Sequence, residues 1–312
     1  MLARWKPSHS ASGDMARHEP LLLTTMIITS LQNPRLKQVV KWRDRHDRDK
    51  DQVVLLEGYR ALTRALAANF TITDVYYCPE LYQGENEEKL LAALHEHGAR
   101  LFQVSPEPFV KITYRDRPEG LLGIGPQRHL TLADIPQRET PAFYLVAEQI
   151  EKPGNLGTML RSADAAGTDA LILCDPRTDL WNPNVVRAST GVLFSMPIAE
   201  ASSQEALAWL RKKGVAIVAT TPHADKMLTE VDLTQPVALA VGAEQFGLSE
   251  LWMNQADIKV RLPMMGAADS LNVATATTIV LYEVLRQRIA AGMLTVPPPA
   301  PDNEVRAGAV KH

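Results

Sequence analysis

Between residues 142 and 289 the chain sets short, unbroken apolar runs between segments of helical period. The runs are AFYLVA (142–147), ALILC (170–174), VAIVAT (215–220) and VALAVG (237–242). A strand with one wet face alternates apolar and polar residues; these do not, so both of their faces must be buried. The segments NLGTMLRSADAAG (155–167), SQEALAWLRKKG (203–214) and LNVATATTIVLYEVLRQRI (271–289) predict helices, VVRASTGVLF a helical stretch, and IKVRLP (258–263) an alternating strand. This order predicts an α/β domain over 142–292 on a parallel sheet covered on both faces. Ligands of such sheets bind beyond the carboxyl ends of the strands.

The front half repeats the alternation on a smaller scale. VVLLEG (53–58), TDVYYC (73–78), LFQVS (101–105) and GLLGIG (120–125) predict strands. NPRLKQVVKWRDRH (33–46), YRALTRALAANF (59–70), NEEKLLAALHEHGA (86–99) and SPEPFVKIT (105–113) predict helices. Leu36, Val39, Val40 and Arg43 fall on one face of the first helix, and Ser105 is placed to cap the last. These elements make a small α/β domain over 26–131, with a polar, Pro-flanked linker at 132–141. Residues 1–25 lack periodicity and predict a disordered extension, with Met26 as an alternative start. The Pro-rich segment 293–312 predicts a disordered tail.

A length of 312 residues fits two domains. A hydrophobic fraction of 46% with 22% charged residues excludes a largely disordered or fibrous chain. The run LLLTTMII (21–28) is shorter than the ~20 residues a bilayer requires, and no small-residue cleavage site follows it. No membrane segment is expected. Cys78 and Cys174 form no metal spacing, and a reducing cytoplasm is the simplest setting. His95 and His97 flank Glu96 without a third ligand, so no metal is expected. Gly123-Ile124-Gly125 is followed by Pro126, so no helix opens there and the dinucleotide fingerprint fails. No P-loop, G-x-S-x-G or H-E-x-x-H occurs, which excludes those NTPases, hydrolases and zinc proteases in their usual forms. The net charge of −3 does not advertise nucleic-acid binding. Residues 35–50, however, hold seven basic side chains (Arg35, Lys37, Lys41, Arg43, Arg45, Arg48, Lys50) against three acidic ones. That suits RNA contact and equally a solvated helix face.

The strand ends of the second domain gather small and polar residues. Asn155 and Gly157 fall at a strand-to-helix turn whose N–H groups can hold an anion. Arg161 lies less than two helical turns further on; alternatively Gly154 only permits the turn and Arg161 pairs with Asp164. Gly242 ends a strand where a ligand could approach the backbone. Glu244 follows, and it could also be a helix-start carboxylate. Ser270 is placed to cap the long helix, with Asn272 in its first turn.

Three segments together resemble the motifs of SpoU-type (TrmH-like) RNA 2′-O-ribose methyltransferases of the SPOUT superfamily. Asn155-Leu156-Gly157 with Arg161, Ala163 and Gly167 is similar to the first motif, and Ala188-Ser189-Thr190-Gly191 through Pro197 to the second. Gly242-Ala243-Glu244-Gln245-Phe246-Gly247-Leu248-Ser249, Leu262-Pro263-Met264 and Ser270-Leu271-Asn272-Val273 are similar to the third. Ile28-Thr29-Ser30, Asn33-Pro34-Arg35-Leu36-Lys37 and Glu57-Gly58 resemble the substrate-binding domain often fused in front. One departure is Ala274, where many relatives carry Ser.

The resemblance implies a trefoil-knotted catalytic domain, S-adenosylmethionine as methyl donor and a homodimer. It implies that Arg161, Asn155, Glu244, Ser270 and Asn272 serve the reaction. Asn155 would hold the substrate or the loop, and Glu244 would anchor Arg161 or the site. It implies that Thr220, Gly242, Leu262 and Leu271 receive the cofactor. Arg35, Lys37, Arg43 and Arg45 become candidate RNA contacts. The leading expectation is an rRNA 2′-O-methyltransferase. The alternatives are the same chemistry on tRNA, a non-catalytic RNA-binding protein of this fold, and a nucleotide-dependent oxidoreductase.

Overall fold

The computed structural model describes residues 27–137 and 141–298. The extension 1–25, Met26 and the tail beyond 298 lie outside the described residues. Residues 293–298 carry neither helix nor strand.

The first sheet holds β1 (Val53–Glu57), β2 (Asp74–Tyr77), β3 (Arg100–Gln103) and β4 (Leu121–Pro126) in the order β1-β4-β2-β3. Only β2 and β3 are parallel. Its helices are α1 (Pro34–Lys41), α2 (Arg45–Asp51), α3 (Tyr59–Ala67), α4 (Glu87–Glu96) and α5 (Pro106–Ile112). Strand alternation divides the side chains between two faces. Leu55, Tyr76 and Leu122 meet Leu36, Val39, Phe109 and Ile112 of α1 and α5. Val54, Leu56 and Val75 meet Leu62, Ala65, Leu90 and Leu94 of α3 and α4.

The single helix expected over 33–46 is two. Asp44 stops the first and starts the second, its side chain accepting from His46 N at 2.8 Å. Short polar residues favour such caps over helix interiors. Val40, still within α1, is exposed, contrary to expectation. The break carries Arg48 inside, so the basic face has one member fewer. Ser105 does precede α5, but its side chain makes no cap bond.

The second sheet has seven strands: β5 (Phe143–Glu148), β6 (Ala170–Cys174), β7 (Ile198–Ala201), β8 (Ala216–Thr220), β9 (Lys226–Met227), β10 (Val237–Val241) and β11 (Ile258–Arg261). Their order is β7-β6-β5-β10-β8-β11-β9, and every pairing is parallel. One face is covered by α6 (Pro153–Ala165), α7 (Pro183–Ala188) and α10 (Val273–Ala290). The other is covered by α8 (Ser203–Lys212) and α9 (Glu250–Gln255). β7, β9 and α9 are too short to leave a periodic trace in the sequence.

The two halves are packed together. Phe70 and Phe194 place their ring centroids 4.7 Å apart across the junction. Gly191, at φ +88°, lies against α3, where a Cβ would come within 3.1 Å of the Arg64 Cβ. The chain joins the second sheet before the expected linker starts, where Leu130 bridges Ala199, and within the linker Ile135 is buried against that sheet.

Candidate active site

The carboxyl ends of β5, β10, β8 and β11 lie side by side: Val241 is opposite Ala147, Ala240 opposite Ala219, and Val260 opposite Thr220. The loops 149–152, 221–225, 242–249 and 262–272 therefore leave one edge of the sheet. The loop after β10 folds back sharply. A Cβ on Gly242 would lie 2.1 Å from the Gly247 carbonyl, and Gly247, at φ +68°, donates its N–H to Ala243 O at 2.9 Å. The far end of that loop is pinned by Glu148, buried at the end of β5, whose carboxylate accepts from Ser249 N at 2.8 Å. Sequence reading missed Glu148; its only trace is an acid directly after a fully apolar run.

Glu244 joins the loops. Its carboxylate accepts from Asn155 Nδ2 at 2.7 Å and from the amides of Glu151 and Lys152, each at 3.1 Å. It thus caps the start of α6 from another loop instead of starting a helix of its own. Asn155 Oδ1 accepts from Asn272 Nδ2 at 3.1 Å, and Asn272 Oδ1 accepts from the amides of Ala274 (3.0 Å) and Thr275 (3.3 Å). Asn272, not Ser270, is therefore the cap of α10. Ser270 is exposed and makes no hydrogen bond among the described residues. Because the cap uses the Ala274 amide, the missing Ser hydroxyl costs it nothing.

Desolvation pushes the Glu244 carboxyl up, but the bonds from Asn155 and the backbone outweigh it and hold the group below its ordinary value of 4.5. A carboxyl lowered in the fold adds stability above its unfolded value, and the gain is lost as pH falls through the lowered one. Glu244→Gln should therefore lower the melting temperature most near neutral pH, with the difference shrinking below pH 4.5. A difference independent of pH would contradict this reading of the site.

Gly157 does not line an anion-binding turn. It lies inside α6, where a Cβ would meet the Ala188 Cβ at 2.5 Å and Val185 O at 2.8 Å, so it permits α6 and α7 to touch. Ser162 and Thr278 bring their hydroxyls to 2.7 Å and tie α6 to α10. Arg161, between these supports in the helix, is exposed and makes no hydrogen bond or ion pair among the described residues. It pairs with neither Asp164 nor Glu244. Burial raises the Asp164 carboxyl, and the charge that opposes this is Arg64, from the other half of the molecule.

Beyond β8, β10 and β11 the residues present suit a mixed polar and apolar ligand. Thr220 Oγ1 is buried with no hydrogen-bond partner. Such an orphan is uncommon, and a ligand group is one way to satisfy it. Gly242, at the neighbouring strand end, is buried, and the side where a ligand was expected to approach is filled by the returning Gly247–Leu248 backbone; Leu262 is half-buried, and Leu271 is 38% exposed. Neither cysteine competes for the chemistry. Burial pushes the Cys78 thiol up to about 12 and raises Cys174 as well, so neither offers a thiolate. Among the described residues no group of three or more His, Cys, Asp or Glu could hold a metal ion, and no helix is long and apolar enough to cross a membrane.

The candidate RNA contacts lie on α1 and the corner to α2. Arg35, Lys37, Arg43 and Arg45 are all exposed. The guanidiniums of Arg35 and Arg43 lie 4.6 and 5.0 Å from the ring centres of Phe102 and Tyr114. Arg45 reaches Asp49 at 3.2 Å. A crevice at the junction, lined by Tyr114, Arg115, Asn184 and Arg187, adds an exposed arginine, Arg187, that sequence reading missed. Its walls come from distant segments, so no local pattern signals it.

Comparison with known proteins gives the family. The model of the SpoU rRNA methylase family matches residues 142–282, and that of the MRM3-like substrate binding domain matches 33–123. A 23S rRNA (uridine(2479)-2′-O)-methyltransferase of Streptomyces viridochromogenes is 32% identical over 283 residues, covering 86% of this chain and 95% of that protein. A solved RNA 2′-O ribose methyltransferase is 41% identical with a TM-score of 0.76, covering 85% of this chain and all (100%) of the other. An AdoMet-bound rRNA methyltransferase from Sinorhizobium meliloti is 34% identical with a TM-score of 0.76, covering 84% and 98%. Fold and site thus define a two-domain methyltransferase with a substrate-binding domain in front. The chain belongs to the SpoU rRNA methylase family, whose structures carry a trefoil knot.

Proposed function

We propose that this protein methylates a ribose 2′-hydroxyl of 23S rRNA. The observation that carries the reading is the Glu244–Asn155–Asn272 chain, which ties three loops together at the start of α6, the helix that carries the unpaired Arg161. The relatives named above supply the substrate class, and RNA alone carries the 2′-hydroxyl.

S-adenosylmethionine is the methyl donor, as in the bound relative, and supplies an electrophilic methyl group. Thr220, Gly242, Leu262 and Leu271 would hold it. A ribose hydroxyl is a weak nucleophile, so its placement matters most. A guanidinium donates hydrogen bonds and accepts none. Arg161 accordingly orients the ribose hydroxyl and its phosphate. Glu244 is a positioning residue: its oxygens already receive Asn155 and two amides, and its lowered carboxyl makes a weak base. Asn155 and Asn272 hold the loops. Ser270 is free to meet substrate.

Arg35, Lys37, Arg43 and Arg45 grip RNA phosphates. Lys37→Ala and Arg45→Ala should each weaken RNA binding and flatten its salt dependence by about one unit of slope. Unchanged affinity and slope would remove these residues from the interface.

The protein is a homodimer. Ile279 and Tyr282 on α10 are 42% and 46% exposed, on a helix that is apolar on its buried side as well. Its setting is the cytoplasm, where both cysteines remain thiols.

The test is transfer of tritiated methyl from S-adenosylmethionine to unmodified 23S rRNA and to tRNA. Label on 23S rRNA is expected. Label on tRNA alone contradicts the substrate assignment.

A further inference from the structure

Arg48 is one of the largest fully buried side chains in the molecule, yet it is charged. Its Nη1 donates to the carbonyls of Trp42 (2.9 Å) and Arg43 (2.8 Å), at the corner between α1 and α2. Its Nη2 donates to Asp179 Oδ2 at 2.5 Å, across the junction with the second half. Asp179 Oδ1 accepts from Trp181 N at 2.8 Å. Both side chains are almost wholly withdrawn from solvent, at 2% and 7% exposure. A buried pair is poor evidence of a stability role, because apolar residues of similar volume often do as well. Its place in the fold offers another reason for it.

The loop that carries Asp179 reaches the candidate active site. Thr178 Oγ1 donates to Ile150 O at 2.7 Å, and Arg177 Nη1 donates to Glu151 Oε1 at 2.6 Å. Glu151 N in turn donates to Glu244. On the other side, Arg48 holds the corner that presents Arg43 and Arg45. One bonded path therefore joins the corner offered to RNA with the loop that seats Glu244 and Asn155.

We infer that Arg48 and Asp179 are positioning residues for methyl transfer. They set the RNA-gripping corner of the front domain at a fixed place relative to Arg161. The inference rests on the proposed function above, and RNA delivery is the step it concerns. Neither residue has a hydrogen bond to the cofactor loops after β8, β10 and β11, and the path meets the β10 loop only through the Glu151 amide, so cofactor affinity is expected to change little.

The test is the double substitution Arg48→Met with Asp179→Leu in the full chain, which replaces the pair without leaving a lone buried charge. Three quantities are read: cofactor-binding stoichiometry, cofactor affinity, and kcat per cofactor-binding site on an unmodified 23S rRNA transcript. The expected result is full stoichiometry, affinity within about threefold, and a kcat per site lowered by about tenfold or more, as misplacement of reacting groups predicts. Damage to the fold alone would lower stoichiometry in step with activity and leave kcat per site unchanged. Unchanged kcat per site therefore overturns the inference. If the double variant does not fold, Thr178→Val decides: it cuts the bond to Ile150 O without disturbing the ion pair. A severalfold lower kcat per site supports the inference, and an unchanged one overturns it. Failure of the unaltered, cofactor-binding protein to methylate the transcript is a separate result, and it overturns the functional reading instead.

Discussion

Arg161→Ala is expected to abolish nearly all methyl transfer while leaving the protein folded. The guanidinium is exposed and makes no hydrogen bond or ion pair among the described residues, so its removal breaks no bond of the fold. Surface changes of that kind move stability by about 0.5 kcal/mol or less. The residue stands in a rigid setting, with α6 packed on α7 through Gly157 and tied to α10 through Ser162. Loss of one preorganised donor at a reacting group costs about a hundredfold to a thousandfold in rate. That range is expected for kcat, with the melting temperature and cofactor affinity near those of the unaltered protein. Arg161→Lys should not restore the rate, because an ammonium cannot present a planar pair of donors. A kcat within about threefold of the original would remove Arg161 from the reaction.

Gly242→Ala is expected to have the second large effect, on cofactor binding. The added methyl would lie 2.1 Å from the Gly247 carbonyl and 2.2 Å from Leu248 N. Backbone on both sides has to move, and the loop it belongs to is anchored by Glu148 and Glu244. Overpacking of this kind costs about 1–3 kcal/mol. A displaced loop should carry that loss into cofactor affinity, about five- to a hundredfold at 1.4 kcal/mol per decade. Gly154→Ala is the control. It lies in α6 with nothing within 4 Å of the new Cβ, and alanine is the better helix former. Calorimetric titration with S-adenosylmethionine should separate the two variants. Equal affinities would mean that the loop after β10 does not receive the cofactor.

The parallel sheet was legible because β5, β6, β8 and β10 are apolar on both faces, a pattern few other structures tolerate. The first domain was legible for the same reason, except at the α1–α2 corner. There Asp44 ends one helix and starts the next, and a continuous charge pattern hid the break. The constellation at the active site was legible as residue types: Asn155, Glu244 and Asn272 do converge. Their roles were less so. Gly157 is a packing residue, Asn272 supplies the cap assigned to Ser270, and Glu244 holds Asn155 and two amides in place of Arg161. Arg48 shows the limit most clearly. Among seven basic residues in sixteen it looked like surface; the carbonyls of Trp42 and Arg43 take part of its guanidinium, but the charge that meets it stands 131 positions away. Tertiary pairing at that separation leaves no local trace.

Methyl transfer by this protein is expected on ribose, not on a base, of rRNA. The most direct measurement is mass spectrometry of nucleosides from unmodified 23S rRNA incubated with the protein and S-adenosylmethionine, with alkaline cleavage of the same RNA in parallel. Expected are one 2′-O-methylated nucleoside, a matching gap in the alkaline ladder where the 2′-oxygen is blocked, and loss of both with Arg161→Ala. Methyl found on a base, with an unbroken ladder, would contradict ribose methylation.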